Sequence, residues 1–168
     1  MQFLIFSDSH GNPSVMSRVL RKNPDVRNVL FLGDGLRDVE TLARLHPERS
    51  IRAVRGNCDA LTLEYPTEDI FSLYGTTVFL CHGHTLGVKG GLGGAIACAK
   101  EAGARVLLYG HTHTPHEEYL SESGLYLCNP GSIGQGHGGE GSFAILDLLP
   151  NGSVSISHGH ISLYSCKE

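Results

Sequence analysis

The chain has no excess of positive charge. Its 13 lysines and arginines face 17 acidic residues, for a net charge of -4 and a pI near 6.2. No overall field therefore draws in a polyanion or an anionic membrane, and a phosphate-bearing ligand needs a local source of positive charge. Long apolar runs are also missing. The first, inside "MQFLIFSDSH", has no basic leader and stops at Ser7 and Asp8, too short for a signal-peptide core, and no later stretch approaches a bilayer span. A cytoplasmic location with no membrane partner is the expectation. Five cysteines (Cys58, Cys81, Cys98, Cys128, Cys166) form no CxxC pair, and their odd number fits reduced thiols, mostly small buried hydrophobes, better than a disulfide framework. No internal repeat or disordered linker interrupts the 168 residues. With 40% hydrophobic content they suit a single domain over 1–168.

What is present is an alternation of strand and helix that changes character midway. After the strand "FLIF", Asn12 can cap a helix that starts at Pro13, carries Val15, Met16, Val19 and Leu20 on one face, and ends at Pro24. "NVLFLG" reads as a second strand, followed by Leu36, Val39, Leu42 and Ala43 at helical spacing, with His46 at the helix end. "SIRAVRGN" reads as a third strand. From residue 69 the pattern becomes antiparallel. "IFSLYGTTVFLC" predicts a hairpin turning at Tyr74 and Gly75. A helix with Leu92, Ala95, Ile96 and Ala99 on one face stops at Gly103; then come "RVLLY" and two hairpins, "EEYLSESGLYLC" and "FAILDLLPNGSVSIS". Parallel βαβ units followed by hairpins predict an α/β fold with two sheets packed face to face and helices outside.

The residues that follow each apolar run share a chemistry. "FLIF" leads to Asp8 and His10, "NVLFL" to Asp34, "IRAV" to Asn57, "TTVFLC" to His82 and His84, and "VLLY" to His111 and His113. In open α/β sheets ligands bind beyond the carboxyl ends of the strands, so these sets converge on one crevice. A lone DxH, HxH or GD is an ordinary polar strand end. Five such ends at the same topological position are poorly explained as solvated turns. Two carboxylates, one amide oxygen and four imidazoles suit manganese first, with iron, zinc or nickel as alternatives, and fit calcium or magnesium badly. Seven donors exceed the needs of one tetrahedral ion and suit two, with a carboxylate between them. Two divalent cations against Asp8 and Asp34 leave the centre electropositive, which supplies the missing positive field.

Taken in order, "SDSHGN", "FLGD", "VRGNCD", "CHGH", "YGHTH" and "CNPGS" resemble the calcineurin-like metallophosphoesterase superfamily, and within it the small YfcE-type phosphodiesterases. The resemblance implies a four-layer αββα sandwich of two mixed sheets flanked by helices. It implies a binuclear-metal hydrolase that cleaves a small phosphodiester, or a phosphomonoester, through a hydroxide bridging the two ions. Asp8, His10 and His113 would hold the first ion, Asp34 would bridge, and Asn57, His82 and His111 would hold the second. The two histidines of "GHTH" would thus serve different ions.

Two departures from the superfamily pattern bear on catalysis. Cys58 stands where many members place a histidine after the metal-binding asparagine, a form shared by the YfcE type. It hints at esters with good leaving groups, or at His84 or water as the leaving-group acid; Asn57, Cys58 and His84 are placed at the reaction centre, with Cys58 read, as far as proton transfer goes, as a buried spacer. No arginine follows "NPGS", so the phosphate anchor is unassigned. Asp59 belongs behind the donors or caps the next segment. His116, His137, His158 and His160 carry no motif support and are expected to face solvent. "GQGHGG" formally matches a dinucleotide pattern but precedes a strand rather than a helix, and is read as a flexible loop. The rival readings are a nuclease of the same superfamily, disfavoured by the lack of a basic stripe, and a non-catalytic scaffold like the retromer's phosphoesterase-like subunit. Homo-oligomers occur among relatives, but no contact surface is legible.

Overall fold

The computed structural model describes residues 1–59 and 63–164. Along them run β1 (Gln2–Phe6), α1 (Pro13–Lys22), β2 (Asn28–Phe31), α2 (Leu36–Leu45), β3 (Ser50–Ala53), β4 (Glu68–Leu73), β5 (Thr76–Cys81), α3 (Gly93–Glu101), β6 (Val106–Leu108), β7 (His116–Leu120), β8 (Leu125–Asn129), β9 (Glu140–Leu148) and β10 (Val154–Ser162). The strands form two five-stranded mixed sheets, ordered β10-β9-β1-β2-β3 and β4-β5-β6-β8-β7. β1, β2 and β3 are parallel in the first, and β5, β6 and β8 in the second, while the hairpin partners are antiparallel.

Side-chain alternation along the strands builds the layers. Leu4, Phe6, Val29 and Phe31 face α1 and α2, where they meet Val15, Met16, Val19, Leu20, Leu36, Val39 and Leu42. Their neighbours Phe3, Ile5, Leu30 and Leu32 point the other way, into a core shared with Val78, Leu80, Val106 and Leu108 of the second sheet. Phe79, Leu107 and Leu127 then face Ala95 and Ala99 of α3. Three apolar seams between four layers make the αββα sandwich. Each fully buried Leu, Ile or Phe contributes about 1.5–3 kcal/mol, and that stabilisation is what lets the strand ends hold polar, conformationally costly residues.

The element predictions hold in outline and fail in informative details. α1 begins at Pro13 after Asn12, but Asn12 makes no side-chain cap bond; its Oδ1 instead accepts from the Ser14 hydroxyl at 2.9 Å. In α2, Ala43 is exposed and Asp38 is buried in its stead, because the Asp38 carboxylate is drawn inward by Ser9 and Gly11. The hairpin turns at Tyr74 (φ 52°) and Gly75 (φ 75°), two left-handed residues in succession as a two-residue hairpin loop with the right twist requires. His46 ends α2 and lies 2.7 Å from the Ser17 hydroxyl. Cys81 and Cys128 are buried and Cys98 half-buried, whereas Cys58 is exposed; Cys166 lies outside the described residues.

His158 and His116 depart from the solvent-facing expectation. His158 Nε2 lies 2.8 Å from the Asn129 carbonyl and its ring is mostly covered, while His116 Nδ1 lies 2.7 Å from the Tyr109 hydroxyl. Packing of the sheets and of the loops beyond their strands turned these rings toward neighbours that sequence spacing does not show. His160 is exposed; the side chain of His137 lies outside the described residues. The "GQGHGG" loop closes on the molecule: Gly134 N–H donates to the Asp8 carbonyl, and a Cβ at Gly134 would sit 1.9 Å from the Ser9 carbonyl oxygen. Close approach, more than flexibility, explains that glycine. No described helix is long and apolar enough to cross a membrane.

Candidate metal centre

Every predicted donor follows the carboxyl end of a parallel strand, and the two sheets bring those ends to the same edge of the sandwich. Asp8 and His10 follow β1, Asp34 follows β2, Asn57 follows β3, His82 and His84 follow β5, and His111 and His113 follow β6. The chain turns sharply there. Asp8 (φ 56°), His10 (45°), Asp34 (59°), His111 (67°) and His113 (60°) all adopt left-handed backbone, and Tyr74 is the remaining non-glycine to do so among the described residues. Aspartate and histidine tolerate that region better than most, yet each such residue still costs on the order of 1 kcal/mol. Five in one place need a frame.

The frame is a set of buried polar groups that grip the loops. Asp59 accepts from the backbone N–H of Asp34 (2.7 Å), Gly35 (3.0 Å), Leu36 (3.0 Å) and Gly56 (2.9 Å), so its carboxylate ties the β2 loop to the β3 loop and meets the positive end of α2. Among the described residues it caps the start of α2. Asp38, in the first turn of α2, accepts from the Ser9 hydroxyl (2.6 Å) and Gly11 N–H (2.8 Å). Asn129 donates to the Gly110 carbonyl (2.9 Å) and Thr112 hydroxyl (3.0 Å) and accepts from Gly131 N–H (2.9 Å), setting the "GHTH" turn. The Ser132 hydroxyl donates to the Asp8 carbonyl at 2.8 Å. Sequence reading assigned no role to Asp38, Asn129 or Ser132. The one available signal was the position of Asn129 in "CNPGS".

The donors gather into two joined groups. In the first, His113 Nε2 and His10 Nε2 lie 3.1 and 3.7 Å from Asp8 Oδ1 and 3.3 Å from each other. In the second, His82 Nε2 lies 3.4 Å from Asp34 Oδ2, 3.2 Å from Asn57 Oδ1 and 3.2 Å from His111 Nδ1. Asp34 also groups with His10 and Cys58, so it stands between the two sets. His82 Nδ1 lies 2.7 Å from the Leu32 carbonyl, which fixes the proton on Nδ1 and leaves the Nε2 lone pair aimed into the group. Lone-pair nitrogens converging with carboxylates at such distances, and a fully buried Asp8 Oδ1 with no hydrogen-bond partner, fit divalent cations well. The mixed oxygen and nitrogen donors match the transition-metal preference read from composition.

Electrostatics follow from the same contacts. Burial alone would raise the Asp34 pKa, but the His82 hydrogen bond, the Cys58 N–H at 2.7 Å and the His82 charge outweigh it and hold the carboxyl well below the usual range. Burial works against the His82 proton, yet Asp34 and Asp8 keep its pKa above 6.5. Burial and His82 lower His111, and the same two causes lower His84, whose ring centroid lies 5.4 Å from that of His82 and whose buried Nδ1 has no partner. Burial and then Asp34 push the Cys58 thiol up to about 11, so it stays protonated at neutral pH; its sulfur lies 3.2 Å from Asn57 Nδ2.

Comparison with known proteins gives this arrangement its family. The pattern of the calcineurin-like phosphoesterase superfamily domain matches residues 1–150. The chain belongs to that superfamily. It is 33% identical over 135 residues to the probable metallophosphoesterase YsnB of Bacillus subtilis, covering 79% of this chain and 75% of YsnB. It is 29% identical over 170 residues to phosphodiesterase YfcE of Escherichia coli, 88% of each chain, in keeping with the YfcE-type resemblance. Among solved structures, wild-type Vps29 of Entamoeba histolytica complexed with zinc superposes with a TM-score of 0.74 at 19% identity, covering 98% of this chain and all of Vps29, a likeness of fold.

Proposed function

We propose that the protein is a metal-dependent phosphodiesterase that hydrolyses a small phosphodiester, with manganese the first candidate for each of two ions. Asp8, His10 and His113 would hold one ion, Asn57, His82 and His111 the other, and Asp34 would bridge. Bound there, the ions would supply Lewis-acid polarisation of phosphoryl oxygens and a water of lowered pKa. The chain contributes a rigid set of donors held by Asp38, Asp59 and Asn129. His84 and Cys58, beside the second group, are the side chains placed to exchange a proton with a leaving group, the thiol as a donor. The observation that carries this reading is the meeting of two donor groups at Asp34, with one buried oxygen of Asp8 that accepts no hydrogen bond and faces the His10 and His113 nitrogens.

A small substrate fits the cavity of about 370 Å³ beside His10, Asp34 and Cys58, at the lower end of the range for small-molecule sites. The net charge of -4 speaks against long nucleic acid. The test is hydrolysis of bis-p-nitrophenyl phosphate with manganese by the wild type, His82→Ala and Asp34→Asn. Turnover lost in both variants supports the reading. A folded wild type that binds metal yet turns over no ester under several metals would support the scaffold reading, which the Vps29 likeness makes a physical alternative.

A further inference from the structure

Resting on that reading, we infer that Arg37 grips an anionic oxygen of the substrate phosphate, the task left open by the missing arginine after "NPGS". Arg37 is the one lysine or arginine in the wall of the cavity that borders the candidate metal centre, where it shares the lining with His10, Asp34 and Cys58. Three carboxylates stand in the same wall, and each is already engaged. Asp34 accepts from Cys58 N–H, Asp38 from Ser9 and Gly11, and Asp59 from four backbone amides. Among the described residues the Arg37 guanidinium makes no hydrogen bond or ion pair. By contrast, Arg18, Arg49, Arg52 and Arg105 are tied to backbone carbonyls or carboxylates.

The position of Arg37 argues against a structural purpose. It is the second residue of α2, at the positive end of the helix, where a cation is unfavourable. A helix selected for stability alone would place an acid there. An exposed arginine with no partner adds its charge to the helix field at the mouth of a cavity, and five N–H groups in a planar fork match phosphate geometry. Two other cations act near the centre, Lys89 on His111 and Arg55 on His84, and neither lines this cavity. The substrate would then lie between the donor groups and Arg37, with its leaving group toward His84.

The full-length protein loaded with manganese tests the assignment, with inorganic phosphate as the probe in calorimetry and as a competitive inhibitor. Arg37→Gln is expected to weaken phosphate about tenfold or more and Arg37→Lys less. KM for bis-p-nitrophenyl phosphate should rise more than kcat falls, with manganese stoichiometry unchanged and the melting temperature not lowered. Lys89→Gln, which removes the same charge from a residue outside the cavity wall, should change phosphate affinity by less than about threefold. Phosphate binding that survives Arg37→Gln, or falls equally in Lys89→Gln, overturns the inference. A wild type that binds phosphate through Arg37 but hydrolyses no ester keeps the anchor and removes the hydrolase. A wild type that hydrolyses ester and loses nothing in Arg37→Gln does the reverse.

Discussion

The two ends of the sandwich offer cavities that differ in the chemistry of their side chains. Beyond the carboxyl ends of the parallel strands, about 370 Å³ is bordered by carboxylates, an imidazole, a thiol and an unpaired arginine. At the other end, about 280 Å³ is lined by Met1, Phe3, Phe71 and Leu73, and the arginine there, Arg52, is already committed to Asp69 at 2.9 Å and stacked on Phe71. The left-handed non-glycine residues divide the same way. Among the described residues, five lie at the first end and Tyr74, in a hairpin turn, at the second. Concavity alone therefore does not single out either end. Backbone held in costly conformations, with buried polar atoms that take no hydrogen bond, singles out the end where the proposed chemistry would lie.

The comparison breaks first at Asp34. Asp34→Asn or His82→Ala should reduce manganese-dependent diester hydrolysis by about a thousandfold or more, because the first removes the negative charge and second carboxylate oxygen needed to bridge, and the second removes a nitrogen donor. Circular dichroism should show the fold retained. Phe71→Ala at the opposite end should cost about 1–3 kcal/mol of stability and leave kcat/KM within about twofold. Activity that fell with Phe71→Ala and survived Asp34→Asn would put the working end of the molecule on the wrong side.

Identical glycine substitutions sharpen the contrast. A Cβ at Gly134 would lie 1.9 Å from the Ser9 carbonyl oxygen, and relieving the clash must move the backbone between Asp8 and His10. Gly134→Ala should therefore cut activity at least about tenfold, with weaker manganese binding at the Asp8 group. Gly75→Ala meets nothing within 4 Å and suffers only from its φ of 75°, so it should cost roughly 1 kcal/mol and leave turnover intact. Equal losses of activity in the two variants would mean that the β1 loop is not held by contact with Gly134.

Much of the site was legible because metal-type donors follow strand ends at a fixed topological place, and period-2 patterns reveal strand ends. Asp8, Asp34, His82 and His111 need only that rule to be brought together. The frame behind them was not legible, since Asp38 looks like any polar residue in an amphipathic helix and Asp59 like a turn residue. Their roles depend on backbone N–H groups 23 to 27 residues away in sequence and, for Asp38, on the Ser9 hydroxyl 29 residues away. His158 was misread for the same reason: its partner carbonyl at Asn129 is brought near only by the packing of one sheet on the other. Arg37 could have been noticed as a cation in the first turn of a helix, a local violation of electrostatic preference.

Removing metal should act at one end only. The wild type is expected to melt roughly 10–20 °C lower in chelator than at manganese a hundredfold above its dissociation constant, from a linkage of about 2.7 kcal/mol for each of two ions. In Asp34→Asn most of that difference should vanish. Phe71→Ala should keep it in full, shifted as a whole to lower temperature.

The smallest expected effect is a change of sign with pH. Asp34 is held below the usual carboxyl pKa, so in metal-free protein its contribution is present above about pH 4 and lost as acid protonates it. His82 is held above 6.5, so its contribution is present at and below that pH and declines as the solution is made alkaline through its folded pKa. In metal-free protein, against the opposite slope from His84 and His111, whose pKa values are lowered, the His82 contribution should therefore decline as the pH rises above 6.5 and the His82–Asp34 pair loses its proton. Manganese needs that same nitrogen unprotonated, so its stabilisation should grow over the same range. Melting temperatures with and without manganese should diverge as pH rises, and His82→Ala should flatten both slopes. Parallel wild-type curves would show that His82 does not compete for proton and metal, and would remove it from the second donor group.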